Sequence, residues 1–335
     1  MIRFIFESTR IISYARDTII HGHSLGEETL QRMILVANTA LEVAKSTDYE
    51  LTYFTALYKL LVKNVLEARA CSDLTREAAM KTMESSHELI SVTSKVASLA
   101  SVLSLMQLYA PVFRRACPES GDELVNLPRR LTAPEVKLKY YVSFDVILSV
   151  ITHRPMFFRY NLDCLSSYDQ ELLDADDRPG LGWSIGVPDR LVYIMAKINI
   201  LLEDYGNGVE LKMVRELEKD IRAYKLAVSS GTTGDPTLKV ERLVVKESWR
   251  LAAYVYLYMG LCGADTRDAR VVKVQKQFMR LLDTVRPRRN PDSFLTIPMM
   301  IVGIATSSPA DQSTLLARLW GVSECSRLGT MGNDM

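Results

Sequence analysis

The sequence predicts an all-α protein, a multi-helix bundle, and three observations carry that prediction. Apolar residues recur at helical spacing through most of the chain. Gly 16 and Pro 12 are few for 335 residues, which favours helix over turn-rich β architecture. No Asn-Gly or Asp-Gly pair joins two alternating runs, no strand pair stands out, and no fixed-period repeat occurs.

Composition narrows the function classes. The chain is 48% hydrophobic and 24% charged, the balance of a soluble globular protein with a sizeable core. With 41 basic and 40 acidic side chains the formal charge is +1, which gives no electrostatic footprint for nucleic acid or membrane. The five cysteines (Cys71, Cys117, Cys164, Cys262 and Cys325) are far apart and form no Cys-x-x-Cys pair, so neither a local zinc site nor a disulfide framework is expected. A reducing compartment fits that usage. Arg3, Glu7, Arg10 and Arg16 interrupt the apolar N-terminal stretch, so no secretory signal is expected there. Residues 96–113 carry Ser98, Ser101, Ser104 and Gln107, and residues 293–310 carry Pro298, Gly303 and Pro309; both are read as buried helices, not membrane spans.

The elements follow in order. Ser24 with Glu27, and Thr47 with Glu50, form capping boxes before the first two strong helices. Residues 74–113 predict two more helices, the second ending at Pro111. Residues 117–134 lose periodicity and gather Pro, Gly and charge, an irregular connection. A soft boundary inside it divides an N-terminal helical part, 1–128, from a C-terminal part, 129–335, with one continuous helical domain as the alternative. The central helix follows. Tyr140, Phe144, Ile147, Leu148 and Ile151 line one face, and Tyr141, Val142, Val146 and Val150 widen it almost all round. Thr132, Pro134 and Glu135 read as its capping box, and Pro155 as its stop. Residues 162–177 are a short polar segment. Pro188 opens an amphipathic helix with Leu191, Ile194, Met195, Ile198, Leu201 and Leu202 on one face. Helices over 209–229, 240–262 and 267–285 come next, then the apolar run LTIPMMIVGIAT and a final helix, ADQSTLLARLW.

No catalytic or metal constellation assembles from these elements. His21 and His23, near Glu27 and Glu28, lack a completing ligand set and read as a solvated loop, so no metal is expected. Gly180, Gly182 and Gly186 are spaced wrongly for a dinucleotide loop and follow no strand, so no cofactor is expected. The loop beginning at Gly231 lacks the Lys-Ser/Thr of a phosphate loop. No Gly-x-Ser-x-Gly nucleophile elbow occurs. Asp145 is the notable charge, because its helix neighbours are apolar; pairing with Arg154 or Arg159 is expected. A pocket joining Asp145, His153 and Cys164 would be the sign of an enzyme. Arg286, Arg288 and Arg289 read as a solvated turn.

Several ordered motifs carry a resemblance. The central helix runs into Arg154–Pro155; Gly186, Pro188 and Asp189 then open the next helix in a Gly-x-Pro-Asp turn; Glu247 to Leu261 (ESWRLAAYVYLYMGL) presents Trp249 and Arg250 before Ala252 and Ala253; and the apolar 294–310 run leads into an arginine-bearing helix. From about Leu131 onward the chain resembles the fungal-specific transcription factor domain, the regulatory domain found beyond the binuclear zinc cluster of fungal regulators. The resemblance implies a non-catalytic transcription-regulatory domain of the nucleus, with the cytoplasm as the alternative. It implies action through other transcription factors or coregulators, as a homo- or hetero-dimer, or through a small-molecule effector; the alternative is a small-molecule effector-binding helical module without a direct transcriptional role. Neither direct nucleic-acid contact nor membrane association is implied, because the paired cysteines of the zinc cluster are not in this sequence. The motif residues Arg154, Pro155, Gly186, Pro188, Asp189, Trp249 and Arg250 are expected to be structural. An effector groove, if present, is expected near Asp145, Trp183, Tyr193 and Trp249. Members of the family usually continue beyond GTMGNDM into one more helix, so the apolar face of ARLWGV is an expected association surface.

Overall fold

The computed structural model describes residues 17, 20, 26–45, 51–163, 166–175, 181–224, 226 and 236–335, and of residues 44, 45, 167 and 289 the backbone alone. His21, His23, the caps Ser24, Thr47 and Glu50, Cys164, Gly180 and the loop at Gly231 lie outside the described residues. Within them the architecture is all-α, as the periodicity predicts. The first half holds α1 (Glu27–Lys45), α2 (Thr52–Ala70), α3 (Arg76–Thr82), α4 (Ser86–Val96), α5 (Leu99–Ala116), α6 (Leu127–Thr132) and α7 (Val136–Thr152). Then come α8 (Ser167–Leu173), α9 (Leu181–Ser184), α10 (Asp189–Tyr205), α11 (Leu211–Ala223) and α12 (Pro236–Val255), the last running into a π-helical turn, Tyr256–Leu261. The end holds α13 (Ala269–Leu282), α14 (Arg289–Ile304), α15 (Pro309–Trp320), α16 (Ser323–Ser326) and α17 (Met331–Asp334).

The central helix α7 is buried on every side without a break from Leu138 to Val150. It packs against α4, α5, α6, α9 and α10, which leaves no solvent face for a polar stripe. Phe113 of α5 stacks on Tyr141 with ring centroids 4.2 Å apart, and the Tyr141 hydroxyl donates to the Met106 carbonyl at 2.9 Å. Each large side chain buried this way stabilises by roughly 1.5–3 kcal/mol, so α7 is the seam of the core. At the other end α12 packs against α13 and α14, with Trp249 fully buried. The apolar cluster is continuous from Phe54 to Met331.

Several local expectations are corrected. Thr132 does not cap α7. It closes the preceding helix α6, its Oγ1 donating to the Pro128 carbonyl at 2.9 Å, while Glu135 takes the cap position without a side-chain bond. The reason is local competition: Asn126 Oδ1 accepts the Arg129 amide at 2.9 Å and Pro128 sits in the first turn, so a helix is already nucleated upstream. Pro111 does not end its helix, because α5 continues to Ala116. Pro111 and Gln107 are both exposed, so the carbonyl that proline leaves without an amide partner sits on the solvent side, while Val112, Phe113 and Ala116 gain full burial. Residues 74–113 form three helices, not two, since Ser85 turns left-handed at φ 62 and breaks the run. Among the described residues one parallel pair of two-residue strands occurs, Val125 with Tyr160 and Asn126 with Asn161; it is too short to leave an alternating pattern. Two single-turn helices, α16 and α17, follow the one expected to be last. Among the described residues no helix is long and apolar enough to cross a membrane.

Candidate functional site

Two of the motif residues, Arg154 and Pro155, stand where α7 ends. His153 takes the left-handed conformation (φ 54), Pro155 bars further helix, and the chain folds back along α7. Asp145 holds that return segment. Its carboxylate accepts the Phe157 amide at 2.7 Å, the Phe158 amide at 3.3 Å and the Tyr160 hydroxyl at 2.6 Å. The expected arginine partners are elsewhere. Arg159 forms a bidentate pair with Asp204, both distances 2.7 Å, and the Arg154 guanidinium lies 6.0 Å from the Phe157 ring centre. Short-range backbone amides reach a helix-borne carboxylate at lower entropic cost than a long side chain, and satisfy it equally well. Burial is the strongest influence on Asp145 and pushes its carboxyl up to about 7, against the lowering effect of these three donors, with Glu203 adding to the rise. Glu203 in turn accepts the Met156 amide at 3.3 Å.

The Gly-x-Pro-Asp turn is built with the same economy. Gly186 has φ +77, and a Cβ there would come within 2.3 Å of Val245 Cγ1 on α12, so only glycine fits. Pro188 is the cap residue of α10, and Asp189 in the first turn forms a buried pair with Lys139 of α7, Nζ to Oδ2 at 2.5 Å. Trp249 donates its indole N–H to the Ile185 carbonyl at 3.0 Å and so ties α12 to the same turn. Arg250 pairs with Glu247 one turn back and lies 5.8 Å from the Tyr254 ring centre. Gly186, Pro188, Asp189 and Trp249 therefore converge on one junction, while Arg154 and Pro155 stand at another.

The residues named for an effector groove are placed less closely. Trp249 lines a small cavity of about 70 Å³ with Phe144, Ile185 and Phe294. Tyr193 donates to the Leu162 carbonyl at 3.1 Å with the Lys197 ammonium 4.9 Å from its ring centre, and Trp183 is half-buried on α9. Asp145 is occupied by the return segment. A larger groove of about 650 Å³ lies between α14, α15 and α17, with Met299, Met300, Leu315, Leu319 and Trp320 in its walls. A third, of about 400 Å³, opens beside Arg154. His153, the other described member of the hypothetical enzyme pocket, is exposed. No group of three metal-ligating side chains occurs among the described residues.

A family model described as the fungal specific transcription factor domain matches residues 132–333. The chain belongs to the fungal specific transcription factor domain family. No curated protein and no solved structure matches it. The matched span starts just before α7 and ends in α17, so every motif residue named above lies within this regulatory domain. Membership brings a transcription-regulatory context. Sequence reasoning missed Lys139 and Tyr160, the partners that anchor the domain's two motif junctions. Lys139 was detectable as a lysine flanked by Leu138, Tyr140 and Tyr141 on a helix apolar almost all round, which demands an acidic partner if it is buried. Tyr160 offered no such signal, because its partner is set by the path of the return segment.

Proposed function

We propose that this chain is a non-catalytic transcription-regulatory module that works in the nucleus through protein partners: other transcription factors or coregulators, or a second copy of a related chain. The match of the family model to residues 132–333 carries this reading. The chemistry agrees with it. The titratable groups of the motif region are spent on holding the fold: Asp145 on a backbone return, Asp189 on Lys139, Glu247 on Arg250. A charge of +1 speaks for protein partners over direct nucleic-acid contact.

The test is reporter transcription in a fungal host with the chain fused to a heterologous DNA-binding domain. Activation or repression that requires residues 131–335 supports the reading; no effect from a soluble, folded fusion counts against it.

A second reading, binding of an apolar small-molecule effector, is favoured by one observation. The groove of about 650 Å³ between α14 and α15 has the size of a ligand site. On its flanks Ile304 is 72% exposed, Leu316 54% and Trp320 56%. A metabolite-dependent change in the reporter that Leu316→Glu abolishes would support it. The same apolar face matches the association surface expected from ARLWGV, and concentration-dependent light scattering distinguishes self-association from ligand binding.

A further inference from the structure

We propose that the groove between the last turn of α2, one face of α5 and the Arg154–Pro155 turn docks a short acidic peptide segment of a protein partner, with apolar side chains between its carboxylates. The inference names the partner chemistry for the regulatory reading above and rests on it.

The groove encloses about 400 Å³ and its lining carries two guanidinium groups, Arg69 and Arg154, and no carboxylate. Among the described residues neither arginine has an acidic partner. That is unlike Arg159, Arg190, Arg250, Arg270 and Arg318, each of which holds a carboxylate. Two positive charges without a carboxylate partner at a concave surface favour an anion. Guanidinium selects planar carboxylates through paired N–H donors.

The remaining walls are apolar or neutral. Leu103, Ser104, Gln107 and Leu108 stand at i, i+1, i+4 and i+5 on α5, which is one helical face left open by the neighbouring helices. Phe157 completes the lining, and Leu66, one turn before Arg69 on α2, is 53% exposed. A polyanion such as nucleic acid would gain nothing from Leu103, Leu108 and Phe157. A peptide that alternates acidic and apolar side chains uses both the charges and the walls.

The backbone of the turn is also anchored. Ser149 Oγ donates to the Arg154 carbonyl at 2.6 Å, and the Phe157 amide is fixed on Asp145, so the backbone from which Arg154 and Phe157 project is held before any ligand arrives. Pre-organisation of this kind lowers the ordering cost of binding.

The experiment is fluorescence anisotropy on the full chain with a short fluorescein-labelled peptide of alternating Asp and Leu. A peptide of alternating Asp and Ser and a single-stranded DNA oligonucleotide are the comparison probes. The Asp-Leu peptide is expected to bind most tightly, and Arg69→Glu with Arg154→Glu is expected to weaken it roughly tenfold to a hundredfold. Phe157→Ala weakens it as well, and Lys63→Glu, elsewhere on α2, leaves it unchanged. All these positions are partly or fully exposed, so an unchanged thermal melt verifies the fold of each variant.

Absence of peptide binding at millimolar concentration overturns the proposal. So does equal binding by the double arginine variant, equal binding of the Asp-Ser peptide, or tighter binding of the DNA. If the reporter fusion stays fully active with both arginines reversed, the regulatory reading stands and the groove is discarded. Loss of reporter activity in that variant, together with loss of peptide binding, supports both.

Discussion

Lys139 and Asp189 meet at 2.5 Å inside the core, one near the start of α7 and the other in the first turn of α10. Both side chains are almost fully removed from solvent. The pair registers the two helices against each other at the junction that also holds Gly186 and Trp249. Lys139→Met removes the buried cation that faces the Asp189 carboxylate, and the expected loss is about 3–5 kcal/mol in urea denaturation. Combining Lys139→Met with Asp189→Leu is expected to recover most of that loss. If the double variant is no better than the single, the pair is not the unit we describe.

Gly186 fills a position closed to any other residue. A Cβ would lie 2.3 Å from Val245 Cγ1, and φ is +77. Gly186→Ala is expected to cost about 2–4 kcal/mol, from overpacking and left-handed strain together. Adding Val245→Ala relieves the contact but not the strain, so only part of the cost returns. Full recovery in thermal melts would show that the backbone conformation carries no penalty.

Asp145 sets a pH dependence. Its folded-state carboxyl sits at about 7, above the unfolded value of 3.8, so the native chain binds the extra proton between those limits. Its contribution is fully present below about pH 4 and is lost as pH rises through 7. The difference across that window is roughly 4 kcal/mol, set by the burial of this one group. Asp145→Asn removes the titration. The stability of wild type relative to Asp145→Asn is therefore expected to fall between about pH 4 and about pH 7. A constant difference across that range contradicts the assignment.

Arg318 performs a similar role at the other end of the molecule. It meets Asp292 through Nη2 at 2.5 Å and Nε at 3.1 Å, and donates from Nη1 to the carbonyls of Leu282 and Val285 at 2.8 and 3.1 Å. Burial is the strongest influence on Asp292 and raises its carboxyl, against the lowering effect of Arg318. Arg318→Lys keeps the charge but cannot span the carboxylate and both carbonyls, so it is expected to lose most of what Arg318→Met loses, about 3–5 kcal/mol. Near-equal stability of Arg318→Lys and wild type would refute the fork geometry.

Helix class, the central helix and its stop at Pro155 were legible in the sequence alone, because they depend on periodicities and backbone limits local to a few residues. The burial of Tyr140, Phe144, Ile147 and Leu148 followed from the same source. The family was legible too, through the order of short motifs from Arg154 to Arg250. What only tertiary structure decided was partnership. Asp145 chose backbone amides and Tyr160 over Arg154 and Arg159 because the chain folds back onto α7, and no local pattern encodes that path. Thr132 lost its capping role to a helix nucleated upstream at Asn126, and Pro111 stayed inside α5 because the packing of Val112, Phe113 and Ala116 outweighed one missing hydrogen bond. Arg154 was legible as a motif residue, yet its place beside Arg69 in an open groove depends on α2 and α5, about fifty to a hundred residues away in sequence. Local rules fix the conformation of a segment; which side chains meet is set by how distant surfaces exclude water from one another.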